Sequence, residues 1–350
     1  MDSRKRALAA WAAKELTSIG FADKAELILQ SVSGDASFRR YFRAQVNGQS
    51  FIAVDAPPDR EDSSPFVAIA KHWARGGIAV PQVIASDLTL GFMLLSDFGD
   101  ELLLPHLAPE SVDSLYEKAC AALVDIQQLE SPLDYPLPAY DADKLRSEMQ
   151  LCPDWFLTKL LGLALTDDEL QLLDHVFEAL IARALSQPQV CVHRDFHSRN
   201  LMLLDDDSLG VIDFQDACVG PVTYDLVSLV RDCYISWSKA KEQQFIEAYL
   251  ANARAKGFSL TASDADFHQD FEWMGLQRHI KCVGIFSRLC LRDGKAAYLQ
   301  DIPRTFAYLK DVCSRYSEFA EFHQWLVDKV IPVMEAHEQL PSLTTLEVTA

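Results

Sequence analysis

One stretch of this chain carries most of its chemical signal: Val192-His193-Arg194-Asp195-Phe196-His197-Ser198-Arg199-Asn200, followed by Ile212-Asp213-Phe214-Gln215. The first part fits the pattern H-R-D-x-x-x-x-N, and Asp213 follows an apolar strand 13 residues beyond Asn200. Such a set suits phosphoryl transfer. That reaction needs a carboxylate beside the acceptor hydroxyl and oxygen ligands for Mg²⁺ on the nucleotide side. The residues between Asp195 and Asn200 let the loop turn once, so that base and metal ligand fall on opposite sides of the transferring phosphate. A hairpin, 201–204 and 209–212, then returns Asp213 to the same metal. In this reading Asp195 orients the hydroxyl and takes its proton. Asn200 and Asp213 hold Mg²⁺ through hard oxygen ligands.

The elements that must position these residues follow from periodicity. A helix is expected over 7–19, and strand, turn and strand over 33–46. Asn47-Gly48 is a strong hairpin signal, leading into a strand over 50–55 that Pro57-Pro58 stops. A helix is expected over 65–75 and two more strands over 80–84 and 91–96. The first hundred residues therefore read as a small β-rich unit with an internal helix. After Phe98-Gly99-Asp100 the period changes. Leu115, Ala119, Ala122, Leu123 and Ile126 mark a helix over 109–128, and another runs over 168–186 with Thr166 or Asp167 as its cap. The segment 190–213 is short and β-rich, and beyond Pro221 the chain reads as helical.

Composition excludes several classes of protein. Lys and Arg total 32 against 51 Asp and Glu, a formal net charge of -19, which repels nucleic-acid phosphates and anionic lipid. No uninterrupted apolar run approaches a membrane span. The N-terminal stretch is charged and then Ala-rich, without the apolar core of a signal peptide. None of the eight cysteines forms a C-x-x-C pair, so reduced, buried thiols in a cytoplasmic protein are expected.

The block His193 to Leu201, with Ile212-Asp213-Phe214-Gln215-Asp216 and Gly220-Pro221-Val222-Thr223-Tyr224-Asp225-Leu226, resembles the aminoglycoside phosphotransferase and choline kinase superfamily. Further blocks narrow the resemblance: Gly34 to Arg43, Val54 to Pro58, Gln277 to Lys281, Gly284 to Leu289 and Arg292 to Lys295. Together they look like the bacterial N-acetylmuramate/N-acetylglucosamine anomeric kinases of cell-wall recycling. The resemblance covers roughly residues 30–305. It implies an α+β, bilobal, protein-kinase-like fold, with a β-rich nucleotide-binding lobe over 1–97 and a larger, mainly helical lobe over 98–350. It also implies ATP with Mg²⁺ as donor and a small amino sugar as acceptor, phosphorylated at its anomeric hydroxyl. An aminoglycoside or choline-type acceptor is the alternative within the class. A non-catalytic nucleotide-binding protein is the alternative outside it.

The last alternative arises from a departure. The third strand, Ser50-Phe51-Ile52-Ala53-Val54-Asp55, lacks the lysine that clamps the nucleotide phosphates in this superfamily, and the helix after it offers no obvious glutamate partner. Arg39 or Arg40, just after the Gly34 turn, is the expected substitute. Gly34 is the only glycine there, so Ser37 and its neighbours would supply turn hydroxyls and backbone donors. Asp97-Phe98-Gly99 precedes the catalytic loop at the lobe boundary and reads as a hinge against the adenine. Asp205-Asp206-Asp207 reads as a solvated turn. Finally, a basic stripe reverses the charge of the chain. At about 100° per residue, Arg278, Lys281, Arg288, Arg292 and Lys295 fall within roughly a 100° arc of a single helix. Arg278, Lys281, Arg288 and Arg292 are the candidates for holding an acidic substrate group.

Overall fold

The computed structural model describes residues 2–21, 27–32, 38–258, 260 and 263–343. In chain order its main elements are α1 (Ser3–Ser18), β1 (Leu29–Ser31), β2 (Arg40–Val46), β3 (Gln49–Asp55), α2 (Ser64–Arg75), β4 (Val83–Asp87) and β5 (Phe92–Ser96). They continue with α3 (Val112–Gln127), α4 (Ala142–Met149), α5 (Asp167–Ser186), β6 (Gln189–Val192), β7 (Leu201–Leu203), β8 (Leu209–Val211) and β9 (Cys218–Pro221). The chain closes with α6 (Tyr224–Val230), α7 (Lys239–Ala255), α8 (Asp264–Asp293), α9 (Ile302–Cys313) and short helical turns.

Two compact units result. The first comprises Met1–Leu103, Ser131–Pro136 and Arg199–Ala217; the second comprises Leu104–Glu130, Leu137–Ser198 and Cys218–Ala350. This differs from the expected division at 97/98, because the hairpin carrying Asn200 and Asp213 belongs to the first unit. Backbone bonds hold it there: Leu203 N–H donates to Glu101 at 2.8 Å and Val211 N–H donates to Ala79 at 2.8 Å.

The first unit is an antiparallel sheet in the order β1-β2-β3-β5-β4. Asn47 and Gly48 both have positive φ, 51° and 79°, as the two-residue turn between β2 and β3 requires. Strand alternation then sorts the residues of β2. Phe42 and Ala44 turn to one face and join Leu8, Ala12 and Leu16 of α1 in an apolar cluster. Tyr41 and Arg43 turn to the other. α1 starts earlier than its apolar period indicated, because the Asp2 carboxylate caps it, accepting from the N–H groups of Arg4 and Lys5 at 3.1 and 3.2 Å. β4 starts later than expected, since Pro81 has no N–H to give a ladder.

The second unit is helical around the small β6–β9 ribbon. Thr166 and Glu169 form a capping box on α5. Helix α8 runs unbroken through Gly275 and Gly284. Gly284 is there for space: a Cβ at that position would lie 2.4 Å from the carbonyl carbon of Leu151. The core between helices is aromatic, with Tyr116 stacked on Phe245 at 4.1 Å and its hydroxyl accepting from Trp237 Nε1 at 2.9 Å.

Candidate functional site

The first unit holds a cavity of about 370 Å³ on the Tyr41–Arg43 face of its sheet. Ile52, Leu95, Met202, Phe66, Ile212 and Phe214 give it apolar walls that suit a flat base. Phe66 of α2 and Phe214 stack at 4.8 Å between ring centres. β3 meets the cavity at Ile52, and among the described residues no lysine lines it. Its rim is the 96–100 segment after β5. Arg43 fastens that rim: Nε donates to Asp97 at 2.5 Å, Nη1 to Asp100 at 2.7 Å and Nη2 to the Gly99 carbonyl at 3.0 Å. Burial works to raise the Asp97 carboxyl, but hydrogen bonds from Arg43, Ser50 and the Gly99 N–H outweigh it and hold the group below the usual range.

Asn200 and Asp213 meet on the same cavity. Asn200 Nδ2 lies 3.4 Å from Asp213 Oδ2, and Gln215 Nε2 donates to Asp213 Oδ1 at 2.7 Å. The pair is set by the backbone, since Ile212 N–H donates to the Asn200 carbonyl at 3.1 Å. Asp213 itself has a φ of 65°, a strained value for a non-glycine residue and one that recurs at functional positions. An amide and a carboxylate, half-buried and side by side, are the hard oxygen donors that Mg²⁺ takes alongside phosphate and water. The residues therefore fit such an ion. Among the described residues no group of three or more His, Cys, Asp or Glu forms an all-protein metal site.

The second unit holds Asp195 in the loop after β6. Two buried carboxylates fix that loop. Asp225, at the start of α6, accepts from the N–H groups of His193 at 2.6 Å and Arg194 at 3.0 Å. Asp232, just beyond α6, accepts from the Ser198 N–H at 3.0 Å and from its hydroxyl. At the first of these anchors Arg194 is held at φ 77°. Burial pushes the Asp225 carboxyl up to about 6, despite His193 and the two N–H groups. Asp195 behaves oppositely. Burial would raise it, but the charges of Lys281, His197, Arg278 and Arg194 hold it below the usual carboxylate range. A carboxylate kept ionised in a sheltered loop can accept a proton from a hydroxyl.

The sequence candidates fall as follows. Asp97, Asn200 and Asp213 line the cavity of the first unit. Arg39 does not line it, but lies buried just before β2, 3.6 Å from Glu61. Arg40 is committed elsewhere: strand alternation turns it away, onto the buried carboxylate of Asp55 and onto Asp2. Gly34 and Ser37 lie outside the described residues. In the second unit α8 divides the basic stripe. Arg278 and Lys281 are buried and act on Asp195, Arg288 is half-buried, and Arg292 is exposed beside Asp293.

Sequence reasoning missed Glu148, Glu61 and Asp232. Glu148 of α4 gathers Arg194, Lys281 at 3.1 Å and the Tyr140 hydroxyl. Lys281 also donates to the Tyr224 hydroxyl at 2.9 Å. No local signal marks Glu148, which sits in a short charged helix. Asp232 was findable in principle, as a carboxylate inside an otherwise apolar stretch.

Comparison with known proteins adds the following. The phosphotransferase enzyme family profile matches residues 28–262. An N-acetylmuramate/N-acetylglucosamine kinase of Pseudomonas putida is 42% identical over 332 residues, covering 93% of this chain and 97% of that protein. The protein of the same name from Pseudomonas aeruginosa is 45% identical over 302 residues, covering 86% and 88%. The one from Neisseria meningitidis is 40% identical over 307 residues, covering 86% and 90%. Among solved structures, an ethanolamine kinase of Plasmodium vivax superposes with a TM-score of 0.59 at 14% identity, covering 82% of each chain. A choline kinase of Streptococcus pneumoniae gives 0.57 at 12%, covering 87% of this chain and 98% of the other. At such identities the likeness shows the fold alone, the α+β kinase-like fold of small-molecule phosphotransferases.

Proposed function

The chain belongs to the phosphotransferase enzyme family, and from that membership we propose that it is an ATP-dependent kinase of N-acetylmuramate and N-acetylglucosamine, acting on the anomeric hydroxyl. The observation that carries this reading is the likeness to amino-sugar kinases along nearly their whole length. The product is a sugar 1-phosphate.

In this reading the apolar cavity of the first unit takes the adenine, with the Asp97–Asp100 rim beside it. Arg39, braced by Glu61, stands in for the missing third-strand lysine and meets the nucleotide phosphates; arginine suits this because its planar fork matches phosphate oxygens. Asn200 and Asp213 hold Mg²⁺, which when bound neutralises charge on the phosphates. Asp195 accepts the proton of the anomeric hydroxyl as that oxygen bonds to the γ-phosphorus of ATP and ADP leaves. Its low proton affinity, set by Lys281 and Arg278, keeps it ionised and ready at neutral pH. Asp225 and Asp232 keep the loop in register for that transfer.

The test is direct. The protein is incubated with Mg²⁺, ATP and each sugar, and a phosphorus–proton correlated NMR spectrum is recorded. A phosphate coupled to the anomeric proton is expected with both sugars. A product coupled to another proton refutes the anomeric assignment, and no product with either sugar refutes the amino-sugar reading. Turnover lost in Asp195→Asn while ATP still binds separates the enzyme from a non-catalytic nucleotide binder.

A further inference from the structure

We propose that Arg278 and Arg304 form a carboxylate-binding subsite in the second unit, which favours the acidic sugar N-acetylmuramate over neutral N-acetylglucosamine. The inference rests on the amino-sugar kinase reading and assigns the residues that would tell its two substrates apart.

In a chain of net charge -19, a buried cation finds an acid easily. Arg231 has Glu242 at 3.0 Å and Glu272 at 3.3 Å, while Lys281 and Arg194 share Glu148. Arg278 is the exception. It is 4% exposed, and among the described residues no carboxylate lies within 4.0 Å of it. Its polar contact is a weak one, from Nη1 to the Cys233 sulfur at 3.5 Å. A buried guanidinium that touches no carboxylate can still gain from an anion in direct contact.

A second arginine reaches the same residue from α9. Arg304 Nη1 donates to the Cys233 carbonyl at 3.1 Å. Its nearest carboxylate oxygen, on Asp301, is 3.9 Å away, too far for a hydrogen bond. Its Nε is buried with no hydrogen-bond partner. Two arginines thus converge on Cys233, and Arg304 has a donor to spare. A carboxylate is the anion that two such forks match. The charge of Arg278 also acts on Asp195. The two sugars differ by the lactyl ether of N-acetylmuramate, which ends in a carboxylate.

The test measures kcat/KM for both sugars with the full-length wild type, Arg304→Met and Arg278→Lys. Arg304→Met is expected to lower kcat/KM for N-acetylmuramate about tenfold to a hundredfold, mainly through KM, the loss typical of a charge-assisted hydrogen-bond pair. With Arg304→Met, N-acetylglucosamine should stay within about twofold, since it lacks the partner group; Arg278→Lys, which also bears on Asp195, should lower kcat/KM more for N-acetylmuramate than for N-acetylglucosamine. Should the Arg278 variant fail to fold, the methyl ester of N-acetylmuramate makes the same test on the wild type, and it should fall to the N-acetylglucosamine level. Equal losses on both sugars would mean a structural role and overturn the proposal. So would a change confined to the KM of ATP, which would mark a phosphate site instead, or an unchanged preference. A wild type that phosphorylates neither sugar refutes the kinase reading itself. A wild type active on both, whose preference Arg304→Met leaves intact, refutes only this inference.

Discussion

Replacing Asp225 by asparagine should separate the stability of this protein from its activity. Asp225 holds the N–H groups of His193 and Arg194 at 2.6 and 3.0 Å, across a residue at positive φ. Asparagine keeps one acceptor oxygen and turns an NH₂ group toward the other N–H. Leaving a buried donor unsatisfied costs about 1–3 kcal/mol. A second effect opposes this. The Asp225 carboxyl titrates at about 6 rather than 3.8, burial being the main cause, so at neutral pH its ionised form is disfavoured by roughly 3 kcal/mol, at about 1.4 kcal/mol per unit. Asparagine carries no charge and escapes that penalty. The two terms nearly cancel, so urea unfolding at pH 7.5 should place Asp225→Asn within about 1.5 kcal/mol of the wild type. Activity has no such compensation. A loop displaced by about 1 Å loses about a hundredfold in turnover, and kcat should fall by about that factor. The pH dependence has a definite sign. A carboxyl whose folded-state value is raised contributes stability that is present below 3.8 and lost as pH rises through about 6. The wild type should therefore gain on the variant as pH falls from 7.5 toward 4.5. A variant with wild-type kcat, or one that gains stability relative to the wild type on acidification, would refute the bracing argument.

Other perturbations probe neighbouring parts of the site. Arg39→Ala should raise the KM of ATP about tenfold, the loss of a charge-assisted phosphate contact, whereas Arg40→Ala should leave that KM unchanged and cost about 1 kcal/mol in unfolding, because Asp55 keeps Arg4. Steady-state kinetics in ATP, paired with urea melts, decides between them. Lys281→Met removes the first of the charges that offset burial at Asp195, so the carboxyl rises and the acid limb of the pH–rate profile moves to higher pH; an acid limb that stays in place would show that Lys281 does not govern the base. Gly284→Ala puts a Cβ against the backbone of Leu151 and should destabilise by about 1–3 kcal/mol in the same melts.

Much of the site was legible because its parts are local. His193 to Asn200 is one loop, and Asp213 returns through a hairpin whose turn and strands are short-range features, so order and spacing carry the chemistry. The Asn47-Gly48 turn was readable because its backbone needs residues that tolerate positive φ. The β2 alternation was also present in the sequence, but alternation does not say which face is which. Only α1, packed on Phe42 and Ala44, makes one face the core; that packing sends Arg40 to Asp55 and leaves Tyr41 and Arg43 on the cavity. The basic stripe shows the same limit. Periodicity placed Arg278, Lys281, Arg288 and Arg292 on one arc, and tertiary packing buried the first two and exposed the last. Glu148 meets Lys281 across 133 positions of sequence, and Arg304 meets Cys233 across 71. Sequence by itself therefore determined the reaction class and the loop proposed to perform it, because those depend on spacings of a few residues. Which charges are neutralised, which stay unpaired beside Asp195 and which arginine faces the cavity depend on contacts between distant segments. Burial decides those, and burial exists only once the chain has folded.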